Sequence, residues 1–289
     1  MKKVRYALEF ALLSLLFVFF RALPPARASA LGGWIGRSVG PRLAASRKAL
    51  ANLRAALPGL SPAREREIIA GMWDNLGRLI AEYPHLKTLA RDATAIEGLE
   101  ILQTLRDDSR AGLLFGGHLA NWEIVGPALL FQVGLPIGLI YRAPNNPGAA
   151  GLLDRARSLN GTLKTFPKSP TGTRQFFRHL REGGHAGILI DQKYNEGVEA
   201  LFFGRPAMTS PAFVHLCQKF SAPLVPFQII RTGGARFRLI VHPPLPVADE
   251  NGDPLPVEHV IAQAHALLEG WIRQYPDQWL WLHRRWKSS

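Results

Sequence analysis

His118 and Glu123 stand five positions apart in the segment Gly116-Gly117-His118-Leu119-Ala120-Asn121-Trp122-Glu123. An imidazole beside a carboxylate has an evident use: the ring takes a proton from a hydroxyl, while the carboxylate fixes the tautomer and stabilises the imidazolium that forms. With the hydroxyl supplied by a substrate, such a pair is the His-Asp part of a serine-hydrolase triad. In a continuous helix a five-residue offset turns two side chains about 140° apart, given 3.6 residues per turn. The pair therefore meets only if His118 sits on the turn before the helix, and the two glycines let the backbone turn sharply or be approached closely there. The plain alternative is a helix start with a surface glutamate in its first turn.

Further polar groups follow apolar runs in the same way. Arg142 closes the run Ile137 to Tyr141, where a guanidinium can bind a phosphate or steady a developing oxyanion. Asp191 closes the run Ala186 to Ile190 and is expected to hold Arg142 or a substrate group, or else to cap a turn. Lys193 reads as a phosphate-facing surface charge. Phe202-Phe203-Gly204-Arg205-Pro206 reads either as a loop lining an acyl groove or as buried loop hydrophobes. His283 by itself has no catalytic assignment, and the single cysteine, Cys217, lies in an apolar stretch with no evident chemistry. No His-Glu-x-x-His, CxxC, P-loop or GxSxG pattern occurs, so no metal site and no cofactor is expected.

The elements that must position these residues are legible as short apolar runs, at Gly112 to Phe115, Ile137 to Tyr141, Ala186 to Ile190, Leu224 to Ile230 and Phe237 to Val241. Helical stretches alternate with them: Trp122 to Gln132, Gly148 to Leu159, Thr171 to Glu182 and Ser210 to Phe220, with a last helix at Val257 to Gln274. Two helical runs, Leu43 to Leu57 and Pro62 to Leu89, come before the first strand, the second with Ser61 as N-cap and Pro62 at its first position. This alternation predicts an α/β fold whose central, largely parallel sheet is flanked by helices. His118, Arg142 and Asp191 then fall at carboxyl ends of strands, where open α/β sheets place their sites.

The chain has 289 residues, 47% of them hydrophobic, which is enough for one large catalytic domain. Its net charge is +13, and residues 1–57 hold ten Lys or Arg against one acid, Glu9. That excess adjoins the most apolar segment, Tyr6 to Leu23, a pattern suited to an anionic membrane surface. Nucleic acid is excluded as a partner, since no groove pattern of aromatics interleaved with basic residues appears. We therefore expect residues 1–25 to form an N-terminal membrane anchor helix, spanning or lying in the interface, and residues 26–289 the catalytic domain. A cleaved signal peptide ending at Ala28-Ser29-Ala30 is the alternative.

Five segments in order resemble the late acyltransferases of lipid A biosynthesis, which carry an H-x-x-x-x-D/E motif. They are His118 to Glu123, Tyr141 to Pro147, Asp191-Gln192-Lys193, Phe202 to Ala207 and Trp281 to Lys287. The resemblance implies a glycerolipid acyltransferase-like fold. It implies transfer of an acyl chain from acyl carrier protein to a hydroxyl on a Kdo-bearing lipid A precursor, an anionic membrane lipid, at the cytoplasmic face of the inner membrane. His118 becomes the general base with Glu123 as its partner, and Arg142, Asn145, Asp191 and Lys193 become substrate-binding residues by motif position. Leu119-Ala120 and Trp286 depart from the family pattern and bear on acceptor and chain length. A lysophospholipid or glycolipid acceptor, a coenzyme A donor and a non-catalytic lipid-binding protein are the competing readings.

Overall fold

The computed structural model describes residues 2–141, 144–283 and 285–286. Helices come first: α1 (Lys2–Ala22), α2 (Pro25–Val39), α3 (Ala45–Ala56), α4 (Pro62–Glu82) and the short α5 (Leu86–Asp92). Strands and helices then alternate through β1 (Thr94–Glu97), α6 (Leu99–Asp107), β2 (Leu113–Gly116), α7 (Val125–Ala128), β3 (Ile137–Tyr141), α8 (Pro147–Arg157), β4 (Thr165–Pro167), α9 (Pro170–Arg181) and β5 (His185–Leu189). A hairpin of β6 (Val198–Phe202) and β7 (Arg205–Thr209) precedes α10 (Ala212–Phe220), β8 (Leu224–Gly233), β9 (Arg236–Val241) and α11 (Val257–Gln274).

The main sheet runs in the order β1-β9-β8-β2-β5-β3-β4. Every neighbouring pair in it is parallel except β8 with β9, which form an antiparallel hairpin. The expected largely parallel α/β sheet is therefore present. Alternation along β2 shows how both faces are covered. Leu113 and Phe115 pack into a core with Phe213, Val260, Leu268 and Trp279, while Leu114 points into a second core with Ile124, Leu129, Val225 and Leu239.

Helix α4 begins where its cap residues predict, with the Ser61 hydroxyl accepting from the Arg64 N–H at 3.2 Å and Pro62 at the first position. The run that reads as one helix from Pro62 to Leu89 breaks at a single 3-10 turn, Tyr83–His85, where Pro84 removes a donor. The stretch Trp122 to Gln132 is likewise subdivided into a 3-10 turn, one α turn and a wider π turn.

One expectation is corrected, and one pair of alternatives is decided. Residues 2–22 do form a helix, but among the described residues no helix is long and apolar enough to cross a membrane. The physical reason is that Lys3, Arg5, Glu9 and Arg21 crowd α1 from both ends. They leave an uncharged stretch from Phe10 to Phe20 that covers only about 16 Å at ~1.5 Å per residue, against a hydrocarbon core of ~30 Å. Of the two readings of Phe202 to Pro206, the buried one holds: Phe203-Gly204 is the turn of the β6–β7 hairpin and not an open groove wall. Phe203 and Gly204 take the left-handed φ values of +53° and +67° that a tight hairpin turn requires. Both phenylalanines are buried, with Phe202 stacked on Trp286 at 5.9 Å.

Candidate active site

Strands β2 and β5 lie side by side, with Gly116 opposite Leu189 in parallel register. His118 and Asp191 each lie two residues beyond that pair, so the register itself sets them facing across one strand spacing of about 4.8 Å. The Asp191 carboxylate accepts three hydrogen bonds. His118 Nδ1 lies 2.6 Å from Oδ1, the His118 backbone N–H donates to Oδ2 at 2.7 Å, and the Trp279 indole donates to Oδ2 at 2.7 Å. Asp191 is 1% exposed. Burial by itself raises its carboxyl, but the facing His118 and the donated bonds hold it well below the usual carboxylate range.

The loop carrying His118 is fixed from several sides. Gly116 is needed for space, since a Cβ there would lie 2.5 Å from the Phe227 ring. The chain just before the C-terminus pairs with the loop: Ala120 N–H donates to Gln278 O at 2.9 Å, and Leu280 N–H donates to His118 O at 3.0 Å. Asn121 donates to Glu82 at 2.7 Å and caps the turn by accepting from the Glu123 N–H at 3.2 Å. Glu82 is fully buried and paired with Arg231 at 2.6 Å, with Ser29 donating to it at 2.6 Å. This network clamps the loop between α2, α4 and β8.

The free edge of the imidazole is Nε2. The Gln192 amide nitrogen lies 3.0 Å from it and 3.2 Å from Nε2 of His283, whose ring centroid is 5.0 Å from that of His118. The Asp191 carboxylate can only accept, so the neutral His118 ring carries its proton on Nδ1, directed at Asp191, and presents the Nε2 lone pair as a base. Burial, and next the neighbouring His118, push the His283 imidazole down to about 4, so it is neutral at pH 7. Trp122 packs edge-on against the His118 ring at 4.8 Å.

Glu123 occupies a different position from the one expected for it. The bidentate partner of its carboxylate is Arg157 of α8, at 2.6 and 2.7 Å, and Tyr83 Oη donates to Oε1 at 2.6 Å. Both its oxygens are thus taken, and the carboxylate at His118 Nδ1 is Asp191. Burial raises the Glu123 carboxyl, but the Arg157 contacts outweigh it and the net direction is downward, with a smaller contribution from His118 through space. Arg157 also lies over the Tyr141 ring at 5.0 Å.

The other expected residues are dispersed. Arg142 lies outside the described residues, so the expected Asp191–Arg142 contact has no structural account. Asn145 is exposed, while its neighbour Asn146 is buried, caps α8 and donates to Tyr6 O of α1 at 2.8 Å. Lys193 is half-buried just past Gln192. Sequence reasoning missed Trp279, Gln192 and His283 as site residues, although all three fall in or beside segments it had singled out. Arg157 and Tyr83 carried no local signal at all. A cavity of about 660 Å³, lined by Leu105, Arg110, Cys217 and Pro223, opens at the opposite edge of the sheet, where β2 and β8 begin, and so is separate from this chemistry.

The arrangement, a buried carboxylate orienting an imidazole with an unprotonated outer nitrogen, can remove a proton from a hydroxyl. Comparison with known proteins bears on which hydroxyl. Residues 1–288 match the model of the bacterial lipid A biosynthesis acyltransferase family. The chain is 26% identical over 248 residues to the lipid A biosynthesis lauroyltransferase of Escherichia coli (strain K12), covering 82% of this chain and 77% of that protein. It is 24% identical, with the same coverage, to the lipid A biosynthesis palmitoleoyltransferase of that strain and to a lipid A biosynthesis acyltransferase of Shigella flexneri.

Proposed function

The chain belongs to the bacterial lipid A biosynthesis acyltransferases, and on that premise we propose that it moves an acyl chain from acyl carrier protein to a hydroxyl of a Kdo-bearing lipid A precursor, with His118 as general base. The acyl-transfer class and the lipid acceptor follow from the family; the donor, the precursor and the residue roles are our reading.

The observation that carries it is the short contact of Asp191 with His118 Nδ1, which leaves Nε2 free to accept a proton. The hydroxyl oxygen forms a bond to the thioester carbonyl carbon as its proton passes to Nε2. Asp191 stabilises the imidazolium, and the buried anion of Glu123 adds to that through space. The entering hydroxyl displaces the Gln192 amide, which is then near enough to donate to the oxyanion, a task Arg142 shares by motif position. When the tetrahedral species collapses, the carbon–sulfur bond breaks and the imidazolium returns its proton to the leaving thiolate. No covalent enzyme intermediate forms. Asn145 and Lys193 lie on the segments that meet the phosphorylated substrates.

Membrane contact falls to α1. Its exposed apolar side chains Val4, Leu8, Leu12, Leu15 and Phe19 recur at helical spacing, beside Lys3, Arg5 and Arg21. A helix of that composition lies in the interface of the inner membrane, with residues 26–289 on its cytoplasmic face.

The test is an assay of the detergent-solubilised protein with lauroyl acyl carrier protein and the Kdo-bearing tetra-acylated precursor, read by mass spectrometry. A new acylated product that disappears in His118→Ala is the expected result. A folded wild type that acylates only a different lipid would overturn the acceptor, and undiminished product in His118→Ala would overturn the base.

A further inference from the structure

A second basic cluster lies far from the N-terminus. Residues 155–181 contain seven Lys or Arg and no Asp or Glu. Arg157 is used inside the protein, against Glu123. Arg174, Arg178 and Arg181 are not: they fall at i, i+4 and i+7 of α9, on one stripe, and all three are exposed. No ion pair among the described residues includes them. Like charges at that spacing repel, and only Arg178 and Arg181, in the last turn, are favoured by the helix dipole. The opposite side of α9 is anchored, with Phe176, His179 and Leu180 buried and the Phe176 and Phe166 rings 5.4 Å apart. The stripe is therefore presented outward on a fixed helix.

Its position relates it to the candidate site. Lys168, exposed just before α9, donates its N–H to Tyr141 O at the carboxyl end of β3 at 2.9 Å. The first turn of α9 thus lies at the same sheet edge as His118. The sheet order β2-β5-β3-β4 sets the lateral offset at about 14 Å, three strand spacings of ~4.8 Å, and α9 runs from this edge back toward the start of β5, which places Arg174 about 6 Å and Arg181 about 16 Å along it at ~1.5 Å per residue. A donor held on the stripe has to reach His118 with an extended arm, as a thioester carried on a pantetheine does.

The surface chemistry separates a protein partner from a membrane. Of the exposed large apolar side chains, most fall between residues 4 and 43 and none lies on α9. A helix that settles on a bilayer pairs its basic residues with exposed apolar ones that enter the interface. The apolar face of α9 is already spent on the core, leaving the arginines outside among the uncharged polar Thr171, Thr173 and Gln175. Such a face fits an acidic hydrophilic surface, for which its charge sets orientation and encounter rate.

We propose that the Arg174, Arg178 and Arg181 stripe of α9, extended by Lys168 toward the candidate site, docks an acidic helix of the carrier protein that delivers the acyl thioester. This rests on the carrier-borne donor of the proposed function. The test uses the full chain carrying Arg174→Glu, Arg178→Glu and Arg181→Glu together, with the three Arg→Gln changes as a milder second variant. With acyl carrier protein as donor, KM rises at least tenfold in the Glu variant and in the same direction in the Gln variant, while kcat stays within about twofold. With the same acyl chain on pantetheine alone, KM is unchanged. Raising salt from about 50 to about 300 mM weakens the wild type toward the carrier and leaves the Glu variant flat. An unchanged carrier KM overturns the inference alone, and so does an equal rise in KM for both donors. Lost binding to anionic vesicles with an unchanged carrier KM assigns the stripe to the membrane and overturns it too. A wild type that uses the pantetheine donor but not the carrier overturns the donor reading and this inference with it.

Discussion

Oδ1 of Asp191 lies 2.6 Å from Nδ1 of His118, on residues 73 positions apart that the β2–β5 register brings face to face. Asp191→Asn keeps the shape but offers an amide where the ring, the His118 N–H and the Trp279 indole all need an acceptor. We expect kcat to fall by roughly 10² to 10⁴, the range set by losing the orienting carboxylate of a His-Asp pair, with KM little changed. Trp279→Phe removes one of the three donors and lowers kcat by about three- to tenfold. Steady-state kinetics on proteins with native circular dichroism decide both. Asp191→Asn at wild-type kcat would remove Asp191 from the mechanism.

Glu123→Gln tests a different function for the second carboxylate. The change leaves Arg157, a largely buried guanidinium, facing a neutral amide. Breaking one side of a buried pair costs about 3–5 kcal/mol. A fall in Tm of several degrees is expected, along with lost activity. Glu123→Gln combined with Arg157→Met should recover part of the Tm, because the uncompensated charge is gone, without restoring turnover. If the single variant unfolds at the wild-type temperature, the ion pair is not structural.

The division of labour between the two carboxylates marks where the sequence stops being readable. His118 and Asp191 follow apolar runs, and such runs end at the carboxyl edge of a parallel sheet, so both were placed at the site from sequence. Which strands adjoin was not available, because β2 pairs with β5 and β8 across long connections. Asp191 therefore reads as a partner of Arg142, a substrate group or a turn cap, and Glu123 as the partner of His118, near it in sequence. Arg157 sits 34 residues beyond Glu123 on a helix whose residues give no sign of an inward face. Helix α11 was legible to its ends, since its apolar positions keep one period from Val257 to Gln274. The strands β1 and β4 were not: Thr94–Glu97 has no continuous apolar run, and Thr165–Pro167 is only three residues long. The hairpin β6–β7 was missed because its strands carry few fully buried positions, one in β6, on either side of Phe203-Gly204, which reads as a loop.

Acid should weaken the fold through a buried histidine. His265 is buried, accepts from Arg285 at 3.0 Å and meets Leu201 O through Nδ1 at 2.7 Å. Burial first, and the Arg285 charge second, push it down to about 4 from the usual 6.5. The folded state therefore resists a proton that the unfolded chain takes up below pH 6.5. The stability involved is fully present above that pH and is lost as pH falls toward 4, by about 2 kcal/mol at pH 5. Urea midpoints at pH 7 and pH 5 should differ accordingly. His265→Gln is expected to be less stable at pH 7 but to show a shallower decline, with a residue of the slope left by His283, which is also held near 4, and by His179, His185 and His242, which burial lowers too. An unchanged decline in the variant would falsify the assignment to His265.

The exposed face of α1 predicts how the protein meets a bilayer. Leu8, Leu12 and Leu15 are each more than 60% exposed and share one side of the helix. The other side is held to the catalytic domain by Asn146, which donates to Tyr6 O and to Glu9. Burying a leucine is worth about 1.5–3 kcal/mol, and a carboxylate in its place reverses the sign at an anionic surface. The double variant Leu12→Glu, Leu15→Glu should bind vesicles of anionic phospholipid at least tenfold more weakly than wild type in cosedimentation. It should keep its turnover when donor and acceptor are both presented in detergent, because neither side chain packs against the site. Equal vesicle binding by the two proteins would move the membrane contact away from α1, and lost turnover in detergent would show that the helix supports the site itself.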